Sequence, residues 1–570
     1  MCSVVANFVR VLILFAIGVI LLIVSIALNA VTLSTINKRF DEIKNADGQT
    51  TVSVGSTIRT TTQPSSSSGN LSDSIRIADL MYHLNALQRI ANGSSNTRAI
   101  GTRGFNETVD YIFNYLTANA SSLSVDRESF QVKNFTVKGN PILILSSNDS
   151  NRTFTYSTNL ARSDFTYANY SAQIALTEFN LTVVPNYGCD PTDWQHVTGR
   201  AALVVLGGLC TFAEKGELAN KYNASALLYY NHGLTTASLA PVIARLRQAN
   251  KLPAVCLSYA AGQELVRAAN MTNSASIWLQ IEIENYLPFR VENVCADTKE
   301  GNMSETIVIG GHIDSVPAGP GINDNGSGAM AILVLATNLA RLYQSGNYVK
   351  YKYRVRFCWW AAEEIGLVGA IHHVQQAQNS SATIGNRLQD YLINLNYDML
   401  GSPNYMLGIY NGRSAKPGTP LSALNGSIRI SETFRSWFDQ NNLPWDYTDF
   451  SGRSDYGPFL AAGIVAGGLF SGADETKTPE QRSRYEEKLG LGQGGLAGAT
   501  LDPCYHKACD TSDNINQLGY EKMVQAAAYI LEYLGRLDDL PTWLYPNGRQ
   551  KTELPENYSP NSDYFRDIDS

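Results

Sequence analysis

The 570-residue sequence is poor in charge and poorer in histidine: Asp, Glu, Lys and Arg make up 17% of it, and there are seven His. Lys and Arg number 44 against 51 Asp and Glu, a net charge of −7, so the chain has no basic field to attract a nucleic acid. With 44% hydrophobic residues it is also too apolar for a disordered chain. No internal repeat is present. At roughly 150 residues per domain the length allows two to four folded units. The mean hydropathy of −0.14 is that of a soluble chain, but the average hides one segment.

That segment is Val11 to Leu33, uncharged over its whole length and interrupted only by Ser25, Asn29 and Thr32. As a helix rising 1.5 Å per residue it is long enough to cross a hydrocarbon core of about 30 Å. A cleaved signal peptide carries a shorter apolar stretch, roughly 7–15 residues, so the run reads as an uncleaved signal anchor. Secretion after signal cleavage is the alternative. Flanking charges do not orient it, since Arg10 precedes the run while Lys38, Arg39 and Lys44 follow it.

Glycosylation acceptors do orient it. Asn-x-Ser/Thr triplets recur downstream from Asn70 to Asn557, most densely between Asn70 and Asn180. Such a density points to a sugar-coated surface in an extracellular, vacuolar or lysosomal lumen, leaving residues 1–10 as a cytoplasmic tail. Asn325 is an exception, lying inside a motif that a glycan would obstruct. Cysteine usage agrees: Cys504 and Cys509 are close enough to staple a loop, and Cys189 and Cys210 flank a plausible strand pair. Cys358, in an apolar run, reads as a small buried hydrophobe; Cys2, Cys256 and Cys295 have no assignment.

Residues 34–74 are polar and rich in Ser and Thr, which predicts a flexible stalk. Folded sequence begins near Asp73, where Ile77, Leu80, Leu84, Leu87 and Ala91 recur at helical spacing; a second helix is predicted around Asn106 to Leu116. Residues 131–285 read as a mostly-β module interrupted by one helix near Phe212 to Tyr222. From Thr306 onward strands and helices alternate, which predicts an α/β domain, built from 75–130 and 286–540, with a mixed central sheet and helices on both faces. Residues 541–570 read as a surface tail.

Acidic and histidine residues collect at the ends of the predicted strands, where ligands bind in open α/β sheets. His312 and Asp314 stand in GGHIDS, Asp324 in PGINDNGSG, Glu363 and Glu364 in WWAAEE, Asp398 in LINLNYDMLG and His506 in DPCYHKACD. Each alone has an ordinary explanation as a solvated or hydrogen-bonded group; together they describe one crevice. Imidazole and carboxylate suit zinc. Five groups, His312, Asp324, Glu364, Asp398 and His506, serve two ions if one carboxylate is shared. Glu363, uncommitted to metal, then fits a general base that moves a proton from water to a leaving amine. His372 and His373 read as surface polarity on a helix, and His83 and His232 as structural or solvent-facing.

GGHIDSVPAGPGINDNGSG, AAEEIGLVGA, NYDMLGS, GRSDYGPF and DPCYHKACD resemble, in order, the signatures of the co-catalytic dizinc aminopeptidases, especially the fungal vacuolar aminopeptidase Y and Streptomyces aminopeptidase branches. The resemblance covers most of residues 75–535. It implies two zinc ions per chain, one held by His312 and Asp398, the other by Glu364 and His506, with Asp324 between them. It further implies Glu363 as acid/base acting on a metal-bridged water, and Asp314 as the carboxylate that orients His312. Tyr505 would polarise the oxyanion, and Arg453 would stand near the substrate amine. The segment GRAALVVLGGLCTFAEKGELANKYNASALLYYN is similar to a protease-associated domain, with Cys189–Cys210 as its disulfide.

The expected activity is removal of an N-terminal, apolar, leucine-like residue from peptides. Two other readings are a carboxypeptidase of the same wider family, for which no Arg cluster is present near the motifs, and an inactive receptor-like relative, which would have been expected to lose some of these groups. The expected partners are peptides, the membrane through residues 11–33 and N-glycans. Oligomeric state is not legible.

Overall fold

The computed structural model describes residues 70–550 and 552, apart from 148–149, 208–209, 211, 234–238, 245, 247–249, 272–274, 286–287, 381–382 and 416–418. The hydrophobic run 11–33, the rest of the chain up to residue 69, and residues 553–570 lie outside the described residues. Among the described residues no helix is long and apolar enough to cross a membrane.

Helix α1 (Ile77–Asn92) buries Leu80, Leu84, Leu87 and Ala91 along one stripe. Helix α2 (Arg103–Asn119) begins where the Thr102 side chain accepts the Phe105 N–H, and it buries Phe105, Val109, Ile112 and Leu116. Strand β1 (Leu123–Val132) then leads out of the first sheet into a second one.

That second sheet is formed by β2 (Phe135–Ser147), β3 (Ser150–Thr153), β4 (Phe165–Tyr167), β5 (Ile174–Val183), β6 (Ala201–Val205), β7 (Ala226–Tyr230), β8 (Ala254–Leu257) and β9 (Ser276–Asn285), in the order β3-β2-β9-β5-β6-β7-β8-β4. Helix α3 (Phe212–Lys221) covers one face and α4 (Tyr259–Met271) the other. Accordingly Ala202, Val204, Leu227 and Tyr229 pack in one cluster with Phe212, and Ala201, Leu203, Ala226 and Leu228 pack in another with Leu265. Among the described residues this region therefore carries two α-helices where one was expected. In the second, the apolar residues Ala261 and Leu265 recur at helical spacing within a stretch otherwise rich in strand signals.

The chain returns through β10 (Phe289–Thr298), which pairs antiparallel with β1 so that Val132 stands opposite Phe289 and closes the insert at its neck. Next come β11 (Asn302–His312), α5 (Gly328–Gln344), β12 (Tyr353–Trp360), α6 (Val368–Asn379), β13 (Tyr391–Tyr397), β14 (Gly408–Tyr410), α7 (Leu421–Gln440), β15 (Asp446–Thr448), α8 (Tyr456–Ala461), β16 (Val465–Phe470), α9 (Pro479–Leu489), α10 (Gln517–Arg536) and α11 (Leu540–Leu544). The first sheet runs β1-β10-β12-β11-β13-β16-β14-β15, with β12, β11, β13 and β16 mutually parallel.

Those central strands are buried on both faces, as their unbroken apolar runs require. Ile307, Ile309, Val355, Phe357 and Trp359 face α5 and α10; Val308, Cys358 and Trp360, at the alternate positions, face α6 and α8.

Three expectations change. Cys358 is a disulfide partner: it stands directly opposite Cys295 in the β10–β12 ladder and is bonded to it, beside Cys189–Cys210 and Cys504–Cys509. His373 is not surface polarity, because α6 turns it onto the sheet. It is 6% exposed, 3.0 Å from both Glu128 Oε2 and the Tyr391 hydroxyl. The stretch after Pro541 also starts as structure rather than tail: Leu544 and Tyr545 are buried, and the Tyr545 hydroxyl donates to the Leu392 carbonyl.

Candidate metal centre and active site

From β11 the chain crosses first to β12 on one side and later to β13 on the other, so β11 is the switch point of the parallel core. A crevice forms outside the carboxyl ends of strands at such a point. His312 is the last residue of β11, Glu363 and Glu364 follow β12, and Asp398 follows β13. Asp324 comes from the turn that enters α5, next to a cis Asp324–Asn325 peptide bond. His506 comes from a loop closed by Cys504–Cys509 and held by Asp502, whose carboxylate accepts the Cys504 N–H. Ala362, Met399 and His506 all have positive φ, an uncommon choice for residues other than glycine that aims the side chains of these loops.

The structure brings together His312, Asp324, Glu363, Glu364, Asp398 and His506, all buried. Asp324 lies between the two imidazoles, its Oδ1 3.4 Å from His312 Nε2 and its Oδ2 2.9 Å from His506 Nε2. Each imidazole has a second carboxylate of its own: Asp398 Oδ1 is 3.4 Å from His312 Nε2, and Glu364 Oε2 is 3.3 Å from His506 Nε2. Glu363 Oε2 is 4.0 Å from His312 Nε2.

These groups fit metal ions. Asp398 Oδ1 and Glu364 Oε1 are buried without a hydrogen-bond partner. Two sets of ligand atoms, from His312, Glu363 and Asp398 and from His312, Asp324 and Glu364, converge closely enough to hold an ion. Carboxylates packed this densely out of water need positive charge among them. Burial alone would lower the pKa of His312, yet the charges of Glu363 and Asp398 raise it well above the usual imidazole range. Burial pushes the Glu363 carboxyl well above the carboxylate range; His312 opposes this, and Asp455, Glu364 and Asp398 add to it.

A supporting layer positions these side chains. Asp314 Oδ1 accepts the Glu363 N–H at 3.0 Å and its Oδ2 the Glu364 N–H at 3.2 Å. The nearest acceptor to His312 Nδ1 is the backbone carbonyl of Asp314, at 3.2 Å, with the carboxylate at 3.6 Å. Asp510 accepts the Asn323 and Asp324 N–H groups. The Asn325 side chain donates to the Tyr397 carbonyl and accepts from Gly328 and Met399. Fully buried and engaged at both ends, Asn325 has no room for a glycan. Ser454 donates to Asp398 Oδ2 at 2.7 Å.

Sequence reasoning missed Arg98, Asp455 and Asp510. Arg98 is fully buried and donates to the carbonyls of Ile313, Pro320 and Gly321, tying together the loops that carry His312 and Asp324. Asp455, also fully buried, has neither carboxylate oxygen hydrogen-bonded. Arg98 is a lone residue in a loop with no spacing to mark it, whereas Asp455 stands in GRSDYGPF and Asp510 closes the His506 motif DPCYHKACD, motifs that were read for other residues.

Beside the cluster opens a cavity of about 420 Å³, lined in part by Ser454, the donor to Asp398. Tyr410, Tyr456, Phe470 and Ala473 supply its apolar wall, and Asp449, Arg453, Asp474, Glu475 and Tyr505 also line it. Tyr505 stacks on His506 with ring centroids 3.9 Å apart, and Arg453 Nε donates to Ser451 Oγ.

The description "Peptidase family M28" matches residues 293–531, and "PA domain" matches residues 177–265. A probable leucine aminopeptidase 2 of Aspergillus fumigatus is 37% identical over 383 residues, 66% of this chain and 70% of its own. Leucine aminopeptidase 2 of Trichophyton rubrum is 32% identical over 483 residues, 84% of this chain and 88% of its own. Among solved structures, an aminopeptidase from Aneurinibacillus sp. strain AM-1 superposes with a TM-score of 0.59 at 19% identity, covering 82% of this chain and 96% of its own. A zinc aminopeptidase from Bacillus subtilis gives 0.50 at 22% identity, covering 80% and 95%. At these identities the two superpositions show a common fold.

Proposed function

Since the chain belongs to peptidase family M28 and carries a PA domain beside the peptidase domain, we propose that it is a dizinc aminopeptidase that removes apolar, leucine-like residues from the N-termini of peptides. The carrying observation is the position of Asp324 between His312 and His506, each of which has a further carboxylate of its own. In this reading His312 and Asp398 would hold one zinc and Glu364 and His506 the other, with Asp324 available to both.

Bound zinc would supply Lewis-acid polarisation of the scissile carbonyl and a more acidic water. Glu363 takes the proton of the attacking water at its carboxylate and delivers it to the leaving amine. Uncommitted to metal in this reading, its carboxylate is free to hold a proton between the two transfers. Asp314 fixes the backbone from which Glu363 projects. Tyr505, held against His506, is assigned to donate its hydroxyl to the developing oxyanion. Arg453 is assigned to the N-terminal residue of the substrate, and the aromatic wall of Tyr410, Tyr456 and Phe470 supports an apolar preference.

The site of action we read from the rest of the chain. The disulfides favour an oxidising compartment, and acceptors such as Asn92, Asn106, Asn119 and Asn180 are exposed. With the apolar run 11–33 as anchor, the chain would be a type II membrane protein with a glycosylated head in the vacuolar or lysosomal lumen or outside the cell. The detergent-solubilised chain should cleave Leu-p-nitroanilide, spare its N-acetylated form, lose activity to a strong chelator and regain it with zinc. Equal cleavage of the acetylated substrate would contradict the aminopeptidase reading.

A further inference from the structure

Three of the first four backbone N–H groups after β12 are taken by side chains. Asp314 accepts those of Glu363 and Glu364, and Asn293 Oδ1 accepts that of Ala361 at 2.9 Å. Between these two clamps Ala362 has a φ of 61°. The loop closes where the Val368 and Gly369 N–H groups donate to the Ala362 and Ala361 carbonyls. Asn293 Nδ2 donates to the Gly369 carbonyl at 3.0 Å, so one amide holds both ends of the loop that carries Glu363 and Glu364. The fit is close: a Cβ at Gly369 would stand 2.4 Å from both Asn293 Oδ1 and the Ala361 carbonyl oxygen.

Asn293 is itself held. It is fully buried on β10, directly opposite Glu128 of β1, and its Nδ2 also donates to Glu128 Oε2 at 2.9 Å. The same oxygen lies 3.0 Å from His373 Nδ1, and His373 Nε2 lies 3.0 Å from the Tyr391 hydroxyl. Arginine has donors only, so the Tyr391 oxygen accepts from Arg356 at 2.7 Å and turns its own hydrogen to His373 Nε2. His373 then carries its proton on Nδ1 and donates it to Glu128. Hydrogen bonds thus run in one direction from Arg356 through Tyr391 and His373 to Glu128, whose carboxylate fixes the Asn293 amide. An amide turned end for end would set its oxygen against Glu128 and its NH2 against the Ala361 N–H.

We infer that Asn293 is a positioning residue for turnover, setting where Glu363 and Glu364 stand, and that Glu128 orients it. The inference rests on the aminopeptidase reading, in which Glu363 moves the proton and Glu364 holds metal. Neither Asn293 nor Glu128 lines the cavity beside the metal centre, so their effect belongs to turnover and not to substrate binding. Both stand on the two strands through which the chain leaves for the insert and returns from it. A shift of about 1 Å in a reacting group costs about 100-fold in rate, which makes a clamp this far from the substrate visible in kcat.

The test measures kcat and KM for Leu-p-nitroanilide, per zinc-loaded chain, on the detergent-solubilised full chain carrying Asn293→Asp, Glu128→Ala or Glu128→Gln. Asn293→Asp keeps an acceptor for the Ala361 N–H but sets a second carboxylate against Glu128 and the Gly369 carbonyl. Glu128→Ala removes the group that orients the amide, whereas Glu128→Gln keeps an oxygen for it. The expected loss of kcat is about 10–100-fold in Asn293→Asp and at least about fivefold in Glu128→Ala, while Glu128→Gln stays within about threefold of the wild type. KM should stay within about twofold in all three. Should Asn293→Asp fail to fold, the two Glu128 variants carry the test. A lower unfolding temperature with full kcat per zinc-loaded chain is the mark of a merely structural role and overturns the inference, as does a Glu128→Gln variant as slow as Glu128→Ala. Absence of chelator-sensitive cleavage in the wild type instead overturns the aminopeptidase reading, and this inference with it.

Discussion

Asp314 Oδ1 accepts the backbone N–H of Glu363 at 3.0 Å, while Oδ2 of the same carboxylate accepts that of Glu364 at 3.2 Å. A side chain two residues beyond His312 thus sets where both glutamates start, joining the loop after β11 to the loop after β12. An asparagine at this position keeps one acceptor and turns an NH2 group against the second N–H. Asp314→Asn is expected to lower kcat for Leu-p-nitroanilide by about 10–100-fold, the range typical of groups supporting a metal site, in a chain that still folds. Unchanged kcat in a folded variant would remove Asp314 from the machinery.

Arg98 is the buried cation nearest to this density of carboxylates. Burial lowers its pKa to about 10, against the opposing pull of Asp510, Asp314, Asp324 and Glu364, so it stays charged at neutral pH. Removing one partner of a buried charged network costs about 3–5 kcal/mol. Arg98→Met, which keeps the stem, is expected to lower the thermal unfolding temperature clearly and to weaken zinc retention during dialysis. Both are measured on the same preparation by scanning calorimetry and metal analysis.

His83 gives the fold a dependence on acid. Burial lowers its pKa to about 4, with Asp79 opposing and Arg341 adding, and its Nδ1 lies 2.7 Å from the Tyr111 hydroxyl. Between the ordinary value near 6.5 and about 4, the unfolded chain binds a proton that the folded chain does not, so stability falls as pH falls through this window. His83→Gln should flatten the dependence of unfolding temperature on pH between about 4 and 6.5 relative to the wild type. Parallel curves would show that His83 does not carry it.

Much of the site was legible because its residues stand at strand ends, where an unbroken apolar run stops and a polar residue follows. His312, Glu363, Glu364 and Asp398 all obey this rule, and the alternating strands and helices from Thr306 onward pointed to the α/β core. Pairing across the sheet was not legible. Cys295 meets Cys358 through the register of β10 on β12, which depends on how the chain across their separation of 63 positions folds. His373 was misread because α6 is amphipathic only weakly, and its inward face is defined by Glu128 and Tyr391 from distant strands. Arg98 carries no local pattern, since its surroundings come from segments remote in sequence, and Asp455, although it stands in GRSDYGPF, has nothing in that motif to mark it as part of the cluster.

The central claim is that two zinc ions are held by five side chains while Glu363 moves the proton. The most direct measurement is metal content and turnover of Glu363→Gln, made on one preparation with the wild type alongside. The account predicts two zinc ions per chain in both forms and a loss of kcat by about 10²–10⁴-fold in the variant, the range of general acid–base contributions. A variant that keeps both ions and full turnover, or a wild type that is fully active with one ion, would contradict it.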